Sequence, residues 1–255
     1  RVLESQGLLT PRILEENKSL KYLLMDYYPT NNSSKYFKRE EIKTILPRAL
    51  QNIIHLQKPR KKLSGILVKA QTNLMKDALK GIETYISYFD HKIHIGYYLN
   101  RLIQISLKKN LKNTTKYKPR LAHGDFFLEN LIYYKRNIFV IDHQDLHYNH
   151  PSLDIASLIF DSRRQYSPKI EDRCIKEYAK KSNQPLKQTI YDIHLVSLAR
   201  NLRILGNWIN LYRSGKPQYL KKYRNTTWTQ IFKHVEYLRF WDLRELFEEV
   251  YKKTK

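Results

Sequence analysis

One short stretch of the chain carries the residue types that phosphoryl transfer needs. Residues 123–130 read His-Gly-Asp-Phe-Phe-Leu-Glu-Asn, and Asp142 follows twelve positions after Asn130, at the end of the apolar run Ile-Phe-Val-Ile. A carboxylate at Asp125 can orient an attacking hydroxyl and accept its proton. The amide oxygen of Asn130 and the carboxylate of Asp142 are hard oxygen ligands of the kind that Mg²⁺ prefers. The spacing therefore predicts a catalytic base beside a magnesium site.

The residues between Asn130 and Asp142 predict how these groups come together. Residues 131–134 and 138–141 are apolar or aromatic and flank the polar residues 135–137, a pattern typical of a β-hairpin with a three-residue turn. Asn130 then starts one strand and Asp142 ends its partner. Antiparallel pairing is expected to set the two side by side, with Asp125 on the loop before them.

Three nearby residues are candidates for supporting roles. His123 either holds the loop through hydrogen bonds or acts as a catalyst, and the pattern favours support. Asp154, in Pro-Ser-Leu-Asp-Ile-Ala (151–156), either caps a helix or braces the loop. Asp145 lies three positions after Asp142, so it either reaches the site or anchors a turn.

Composition limits the class of protein. The 255 residues are 42% apolar, carry a net charge of +23 and include one cysteine, Cys174. This length allows one good core or two unequal ones. No run of about 18 apolar residues occurs, so no transmembrane helix is expected, and the lone cysteine fits a reducing, cytoplasmic compartment. The positive charge is spread over separate stretches without a nucleic-acid motif, which favours a solvated surface over nucleic-acid binding.

The first thirty residues predict a helix end and a hairpin. Residues 1–6 are typical of the last turns of a helix, with Gly7 after it. Two extended segments follow at 11–14 and 22–25, separated by a polar turn at 15–19.

Helices are expected to dominate the remainder. Pro47 is predicted in the first turn of a helix, where a missing N–H costs nothing. Amphipathic segments at about 66–81, 83–90 and 93–112 precede a polar break at 113–115. A long helix at about 188–213 carries one apolar stripe and ends at Ser214-Gly215, and two more helices fill about 225–253.

Together these residues resemble the aminoglycoside phosphotransferase and choline kinase-like family. The resemblance rests on residues 123–130, on the strand before Asp142 and on Asp-Ile-Ala at 154–156. It is closer within one branch. The segments 141–145, 152–158, 199–206 and 212–220 resemble the bacterial anomeric sugar kinases of cell-wall recycling, which phosphorylate N-acetylmuramate and N-acetylglucosamine.

The resemblance implies an α+β, mostly helical fold: the C-terminal lobe of a protein kinase-like (aminoglycoside phosphotransferase) structure with a remnant of the N-lobe sheet. It implies ATP and Mg²⁺ as cofactors, Asp125 as catalytic base, and Asn130 and Asp142 as metal ligands. Adenine would bind main-chain groups near Asp26 and Tyr28 in the hinge. Residues 1–30 would form the N-lobe remnant and hinge, and residues 31–255 the helical lobe, with the catalytic loop and hairpin at 119–145.

Two departures from the family pattern matter. The phosphate-covering loop and the strand lysine that hold nucleotide phosphates in the family have no counterpart here, so the 255 residues are expected to be inactive or nearly so. The sugar kinases also usually carry a Glu four residues before a Phe, whereas this chain has Tyr85 before Phe89.

The expected function is ATP-dependent phosphorylation of a hydroxyl on a small molecule, with an amino sugar as the favoured acceptor. One alternative is the same chemistry on an aminoglycoside, choline or homoserine. Another is a non-catalytic basic protein that binds nucleic acid or an acidic partner, against which the intact trio Asp125, Asn130 and Asp142 argues. The oligomeric state does not follow from the sequence.

Overall fold

The computed structural model describes residues 2–28, 39–58, 63, 65–68, 71–93, 97–112 and 117–254. These residues form a mostly helical α+β structure, which confirms the predicted fold class. The helices are α1 (Val2–Ser5), α2 (Arg39–Gln57), α3 (Gln71–Ile93), α4 (Tyr97–Lys112), α5 (Leu153–Ile159), α6 (Pro168–Ser182), α7 (Leu186–Arg213), α8 (Pro217–Tyr237) and α9 (Trp241–Thr254). The strands are β1 (Ile13–Asn17), β2 (Tyr22–Met25), β3 (Arg120–Ala122), β4 (Leu131–Tyr134), β5 (Asn137–Val140) and β6 (His147–Asn149).

The N-terminal elements follow the prediction with one shift. Helix α1 ends before Gly7, whose φ of 82° is left-handed, and β1 pairs with β2 in an antiparallel hairpin. The turn predicted at 15–19 is wrong, because β1 extends through Asn17. The Asn17 side-chain oxygen accepts hydrogen bonds from the Ser19 hydroxyl and the Leu20 N–H. These bonds close a turn that begins at residue 18, directly after the strand.

The position predicted for Pro47 is also wrong. Pro47 lies inside α2, where it removes one backbone hydrogen bond at a cost of about 3 kcal/mol. Apolar side chains on both sides of it, at Leu46 and Leu50, are buried. Their burial holds the helix together through the proline, because tertiary packing outweighs a local penalty of this size.

Residues 71–93 form one helix, so the division predicted between 66–81 and 83–90 is wrong. Gly81 stands where that division was expected, and it marks a helix crossing. A Cβ atom built on Gly81 would lie 2.3 Å from the carbonyl oxygen of Leu202, and one built on Gly206 would lie 2.7 Å from Gly81 Cα. The two glycines therefore let α3 and α7 approach closely. The polar break predicted at 113–115 lies outside the described residues.

The C-terminal helices agree with the sequence. Helix α7 spans the predicted long helix and ends at Ser214, with Gly215 left-handed at φ 82°. Along its stripe, Leu195, Leu202 and Ile209 are buried. Two helices follow, although α8 begins at Pro217, earlier than predicted. Among the described helices, none combines the length and apolar content that crossing a membrane requires.

Three two-stranded antiparallel sheets frame the predicted site. Strand β3 pairs with β6, and β4 pairs with β5. The β4–β5 hairpin is therefore inserted between the two strands of the β3–β6 pair, with short connections on either side. The β4–β5 turn consists of two residues, Lys135 and Arg136, both with positive φ, where three were predicted. Left-handed residues at both positions match the twist of a tight hairpin.

Three apolar clusters support these elements. One packs α3, α4, α7, α8 and α9 together, and a second packs α1, α2, α5 and α6 against the β4–β5 hairpin. A small third cluster of Ala122, Leu153, Ala156 and Val196 lies directly beneath the end of β3. Residues 123–130, which hold the predicted site, therefore begin directly after a buried residue, Ala122.

The Gly81 crossing gives a stability test. In an unconstrained helix, Gly81→Ala would stabilise by up to about 1 kcal/mol. Here we expect the opposite sign, a loss of about 1–3 kcal/mol or more, because the added methyl overlaps the α7 backbone. Urea unfolding followed by circular dichroism measures the difference. Lys80→Ala, at the exposed neighbour, is the matched control and should change stability little; a stabilised Gly81→Ala protein would contradict the close crossing.

Candidate active site

The loop after β3 is anchored by a buried carboxylate. Asp154 is fully buried near the start of α5, and its two oxygens accept hydrogen bonds from the backbone N–H groups of His123 (2.8 Å) and Gly124 (3.0 Å). Burial raises the pKa of Asp154, while the His123 charge and these two hydrogen bonds act in the opposite direction. Of its two predicted roles, these contacts correspond to bracing the loop.

His123, whose backbone N–H donates to Asp154, also has a buried side chain. Its ring is buried, and Nε2 lies 3.0 Å from the carbonyl oxygen of Ile141. A carbonyl only accepts, so Nε2 carries the proton and donates it. This hydrogen bond ties the loop to the end of β5, one residue before Asp142.

Asp125 and Asn130 are linked by the loop itself. The Asn130 side-chain amide donates to the Asp125 carbonyl oxygen at 2.9 Å. The amide nitrogen is thereby fixed towards the backbone, which leaves the side-chain oxygen as the group that can meet a cation. The Asp125 carboxylate is about two fifths exposed, and one of its oxygens lies 3.6 Å from an Arg203 guanidinium nitrogen on α7.

Asp142 lies where the hairpin returns to Asn130. The Ile141 N–H donates to the Asn130 carbonyl oxygen at 3.1 Å, so Asp142 is the next residue along. It has a φ of 63°, which residues other than glycine rarely adopt. Gln144 donates to its carboxylate at 2.6 Å.

The donor set of Asn130 and Asp142 fits Mg²⁺. Among the described residues, no group of three or more His, Cys, Asp or Glu side chains is arranged to hold a metal ion. Mg²⁺ suits a sparse site, since it commonly takes one or two protein oxygens and completes its shell with water and phosphate. When bound, it would neutralise phosphate charge and orient the transferring group.

A cleft of about 1220 Å³ opens between the β1–β2 hairpin and the β4–β5 hairpin. Asp142 lies in its wall, together with Asp26 and Tyr28. The Asp26 N–H donates to the Arg12 carbonyl oxygen at 3.0 Å, so the main chain of Asp26 can offer a ligand only its carbonyl oxygen. Tyr28 packs against Tyr134 and Phe139, with ring centroids 5.4 and 4.2 Å away. The volume is sufficient for a nucleotide.

A second, smaller cavity has Asp125 in its wall, and we call it the Asp125 pocket. Its enclosed volume is about 40 Å³. Helices α3, α5 and α7, strand β6 and the catalytic loop all contribute to it; its lining residues are Leu74, Asp77, Gly124, Asp125, Asp145, His147, Asn149, Leu153, Ala199, Arg200 and Arg203. Asp145, whose role the sequence left open, is therefore beside Asp125. Its carbonyl oxygen also accepts a hydrogen bond from His147 at 2.5 Å.

Tyr85, the position at which the family pattern has a Glu, lies away from this pocket. Its ring is buried among the helices, its hydroxyl lies 3.0 Å from Thr254 Oγ1, and Trp228 donates to it at 3.2 Å. Burial raises the pKa of the Tyr85 hydroxyl. Tyr85 is therefore a core residue that joins α3 to α8 and α9.

The sequence did not indicate an arginine and aspartate network behind the pocket. Asp161 accepts hydrogen bonds from the Arg163 side chain at 2.7 and 2.9 Å and from its backbone N–H at 2.7 Å. Burial would raise the pKa of Asp161, but the hydrogen bonds and charge of Arg163 and the charge of Arg200 lower it. The Arg163 guanidinium also lies 3.6 Å from the centre of the Phe127 ring. Arg163 is far in sequence from Arg200 and Arg203, and only the folded chain brings the three arginines together.

Comparison with known proteins agrees with this geometry. Residues 88–186, less than half of the chain, match the family model described as APH: Phosphotransferase enzyme family. Comparison with curated protein sequences gives no match.

Solved structures of small-molecule kinases share the fold. A choline/ethanolamine kinase family protein from Mesorhizobium loti aligns over 97% of this chain and 80% of its own, with 11% identity and a TM-score of 0.65. A choline kinase from Cryptosporidium parvum aligns over 96% and 79%, with 13% identity and a TM-score of 0.64. The ADP-bound aminoglycoside phosphotransferase APH(2'')-Ib aligns over 96% and 79%, with 18% identity and a TM-score of 0.57. The chain thus has the kinase-like fold of aminoglycoside phosphotransferases and choline kinases, as the sequence predicted.

The anchoring role of Asp154 is testable by substitution. Asp154→Asn places an amide NH₂ against one of the two N–H donors, so we expect a loss of about 1–3 kcal/mol in unfolding free energy. Hydrogen exchange of the His123 and Gly124 amides should accelerate as well. The matched control is Asp172→Asn, which alters an exposed pair with Lys176 and is expected to cost less than about 1 kcal/mol. Unchanged exchange at the two amides would contradict the anchor.

Proposed function

We propose that this chain is an ATP-dependent phosphotransferase that phosphorylates a hydroxyl of a small molecule, with an amino sugar as the favoured acceptor. The observation that carries the proposal is Asp125 on a loop pinned by Asp154: it lies in the wall of the Asp125 pocket, and its loop is tied through Asn130 to the segment where Asp142 lines a nucleotide-sized cleft. A phosphotransferase needs the acceptor hydroxyl beside the base and the nucleotide on the far side of the transferring phosphorus, because the attacking and leaving oxygens are roughly in line. The match of residues 88–186 and the shared fold support the same class of reaction.

In this proposal, Asp125 acts on the acceptor. Its carboxylate orients the acceptor hydroxyl and accepts the hydroxyl proton. The acceptor oxygen forms a bond to the γ-phosphorus, the bond from that phosphorus to the β–γ bridging oxygen breaks, and ADP leaves with the electron pair. Asn130 and Asp142 supply the protein oxygens for Mg²⁺, and His123 keeps the loop and the end of β5 in register.

The nucleotide is proposed to bind in the cleft between the two hairpins. In this proposal the Asp26 carbonyl oxygen and the main chain of Tyr28 face the adenine ring, as the resemblance implies. Solved phosphotransferases that share this fold have ADP, GDP or ATP bound. Nucleotide use is therefore common to these neighbours, and ATP is our proposal for this chain.

Substituting Asp125 tests the proposed base. Asp125→Asn keeps the size of the side chain but cannot accept the proton, so we expect kcat to fall by about 10²–10⁴-fold while the KM for ATP changes little. The assay is a coupled ADP-release measurement over a range of ATP concentrations, with N-acetylglucosamine, N-acetylmuramate, an aminoglycoside, choline and homoserine as acceptors. Asp172→Asn controls for a surface carboxylate. Equal turnover by Asp125→Asn and wild type would overturn the role of the base.

The charge of the cleft leads to a second expectation. Among the described residues that line it, Glu4, Glu15, Glu16, Asp26 and Asp142 are acidic. The basic side chain among them, Arg12, already forms a salt bridge with Asp26 at 3.0 Å. Nucleotide phosphates therefore meet net negative charge in this part of the protein.

We expect the 255-residue chain to bind ADP with Mg²⁺ weakly, with a Kd on the order of 1 mM, or about −4 kcal/mol, and to turn over slowly. Asp26→Asn should tighten binding several-fold, since it removes an anion and releases Arg12 while leaving the main chain unchanged. Isothermal titration with ADP measures both effects. A micromolar Kd for the wild-type chain would show that these residues hold the phosphates by themselves.

A further inference from the structure

Arg163 follows helix α5 and has a fixed orientation. Asp161, which is buried, accepts hydrogen bonds from the Arg163 backbone N–H, from its Nε and from its Nη2. Nε and Nη2 reach different oxygens of the same carboxylate. This two-pronged geometry sets the plane of a guanidinium as well as its position. The Arg163 guanidinium is therefore held in one orientation by a buried carboxylate.

The same guanidinium lies over the Phe127 ring, which belongs to the loop between Asp125 and Asn130. Its central carbon is 3.6 Å from the ring centre, well inside the distance of about 6 Å at which a cation is attracted to an aromatic face. The Arg163 side chain is 19% exposed, so water screens this attraction little. The ion pair with Asp161 alone would only close the end of α5, but the contact with Phe127 extends it to the loop.

The backbone of Phe127 connects the predicted base to a predicted metal ligand. Its N–H donates to the Asp125 carbonyl oxygen at 3.2 Å, and its carbonyl oxygen accepts a hydrogen bond from the Asn130 N–H at 3.0 Å. The Asn130 side-chain amide donates to the same Asp125 oxygen. A displacement of Phe127 therefore shifts Asp125 relative to Asn130, although the Phe127 side chain brings no polar group to the site.

Helix α5 thereby holds the loop at two points. Asp154, in its first turn, binds the backbone at the start of the loop, and Arg163, shortly after its last residue, reaches Phe127. All seven residues of α5 are buried, and a helix of this length spans about 10 Å. The two points therefore keep a constant separation, and Asp125 lies between them in the sequence.

We propose that Arg163 is a positioning residue for phosphoryl transfer: held by Asp161, its guanidinium fixes Phe127 and so keeps Asp125 and Asn130 in register. The role in transfer rests on the proposed function, whereas the ordering of the loop does not. Arg163 lines neither the cleft nor the Asp125 pocket, so it acts through Phe127 rather than on a ligand.

Amide hydrogen exchange measured by NMR tests the ordering of the loop without any need for turnover. Arg163→Lys keeps a charge beside Asp161 but lacks the planar fork that can bind a carboxylate and cover a ring at once. Phe127→Leu keeps an apolar side chain but lacks the aromatic face. In each variant we expect the amides of residues 127 and 130 to exchange about tenfold faster, after correction for intrinsic rates. The amides of residues 123 and 124, which Asp154 holds, should change by less than about threefold.

The double variant shows whether the two side chains act on one another. Because Arg163→Lys already disrupts the contact, adding Phe127→Leu should accelerate exchange little further, and the combined effect should be well below the product of the two single effects. Arg213→Gln is the matched control. Arg213 lies 5.8 Å from the Tyr88 ring at the exposed end of α7, so its substitution removes an arginine–aromatic contact far from the loop and should leave all four amides unchanged.

The kinetics give a second readout once an acceptor is turned over as proposed. Arg163→Lys should lower kcat about tenfold and leave the KM for ATP and for the acceptor within about twofold, because it displaces the base without altering a ligand contact. A merely structural residue would instead lower the amount of folded enzyme and leave kcat per folded molecule unchanged. An unchanged kcat beside accelerated exchange would reject the role in transfer.

The outcomes separate this inference from the proposed function. Equal acceleration at all four amides, or independent effects of the two substitutions, would show that Arg163 serves the fold as a whole and would overturn its positioning role. Unchanged exchange at residues 127 and 130 would overturn it as well, while turnover by the wild-type chain would still support the kinase. Local acceleration in a protein that phosphorylates none of the acceptors would keep the ordering of the loop by Arg163 and reject the proposed function.

Discussion

The arrangement of the candidate active site depends on the two hydrogen bonds that Asp154 accepts from the backbone of His123 and Gly124. A loop that must hold a carboxylate within reach of two ligands cannot rely on its own few residues, because ordering each residue costs about 1–2 kcal/mol. Asp154 supplies the missing constraint from a fully buried position on α5. His123 then connects the same loop to the end of β5, so Asp125, Asn130 and Asp142 share one rigid support.

A second constraint operates from the helical side. Gly81 and Gly206 allow α3 and α7 to cross in backbone contact, and the residues of α7 that line the Asp125 pocket, Ala199, Arg200 and Arg203, lie next to that crossing. A larger residue at either glycine would push α7 away and carry Arg200 and Arg203 with it. The glycine pair therefore affects the chemistry of the pocket even though it contributes no polar group to it.

The sequence was informative where the signal was local and periodic. Two apolar segments around a polar turn predicted the hairpin between Asn130 and Asp142. Apolar residues spaced three and four apart predicted α7. Both patterns are written in neighbouring residues and do not depend on distant parts of the chain. Pro47 was misplaced for the opposite reason: local propensity puts it in the first turn of a helix, whereas distant packing keeps it inside α2. The division predicted between 66–81 and 83–90 failed in the same way, because the contact of α3 with α7 at Gly81 depends on residues far along the chain. The arginine and aspartate network was not predicted, because Arg200 lies on α7, far in sequence from Asp161 and Arg163, and only the fold brings it to them.

The contact between Asp125 and Arg203 bears directly on the proposed reaction. At 3.6 Å and partly exposed, it is a weak ion pair that water screens, so an acceptor hydroxyl can take a place beside the Asp125 carboxylate at small cost. A stronger pair would hold the carboxylate on the arginine and keep it from the hydroxyl. The fold thus fixes the loop through the buried Asp154, where hydrogen bonds are protected from water, and leaves the Asp125 side chain in a weaker contact from which it can turn to a substrate.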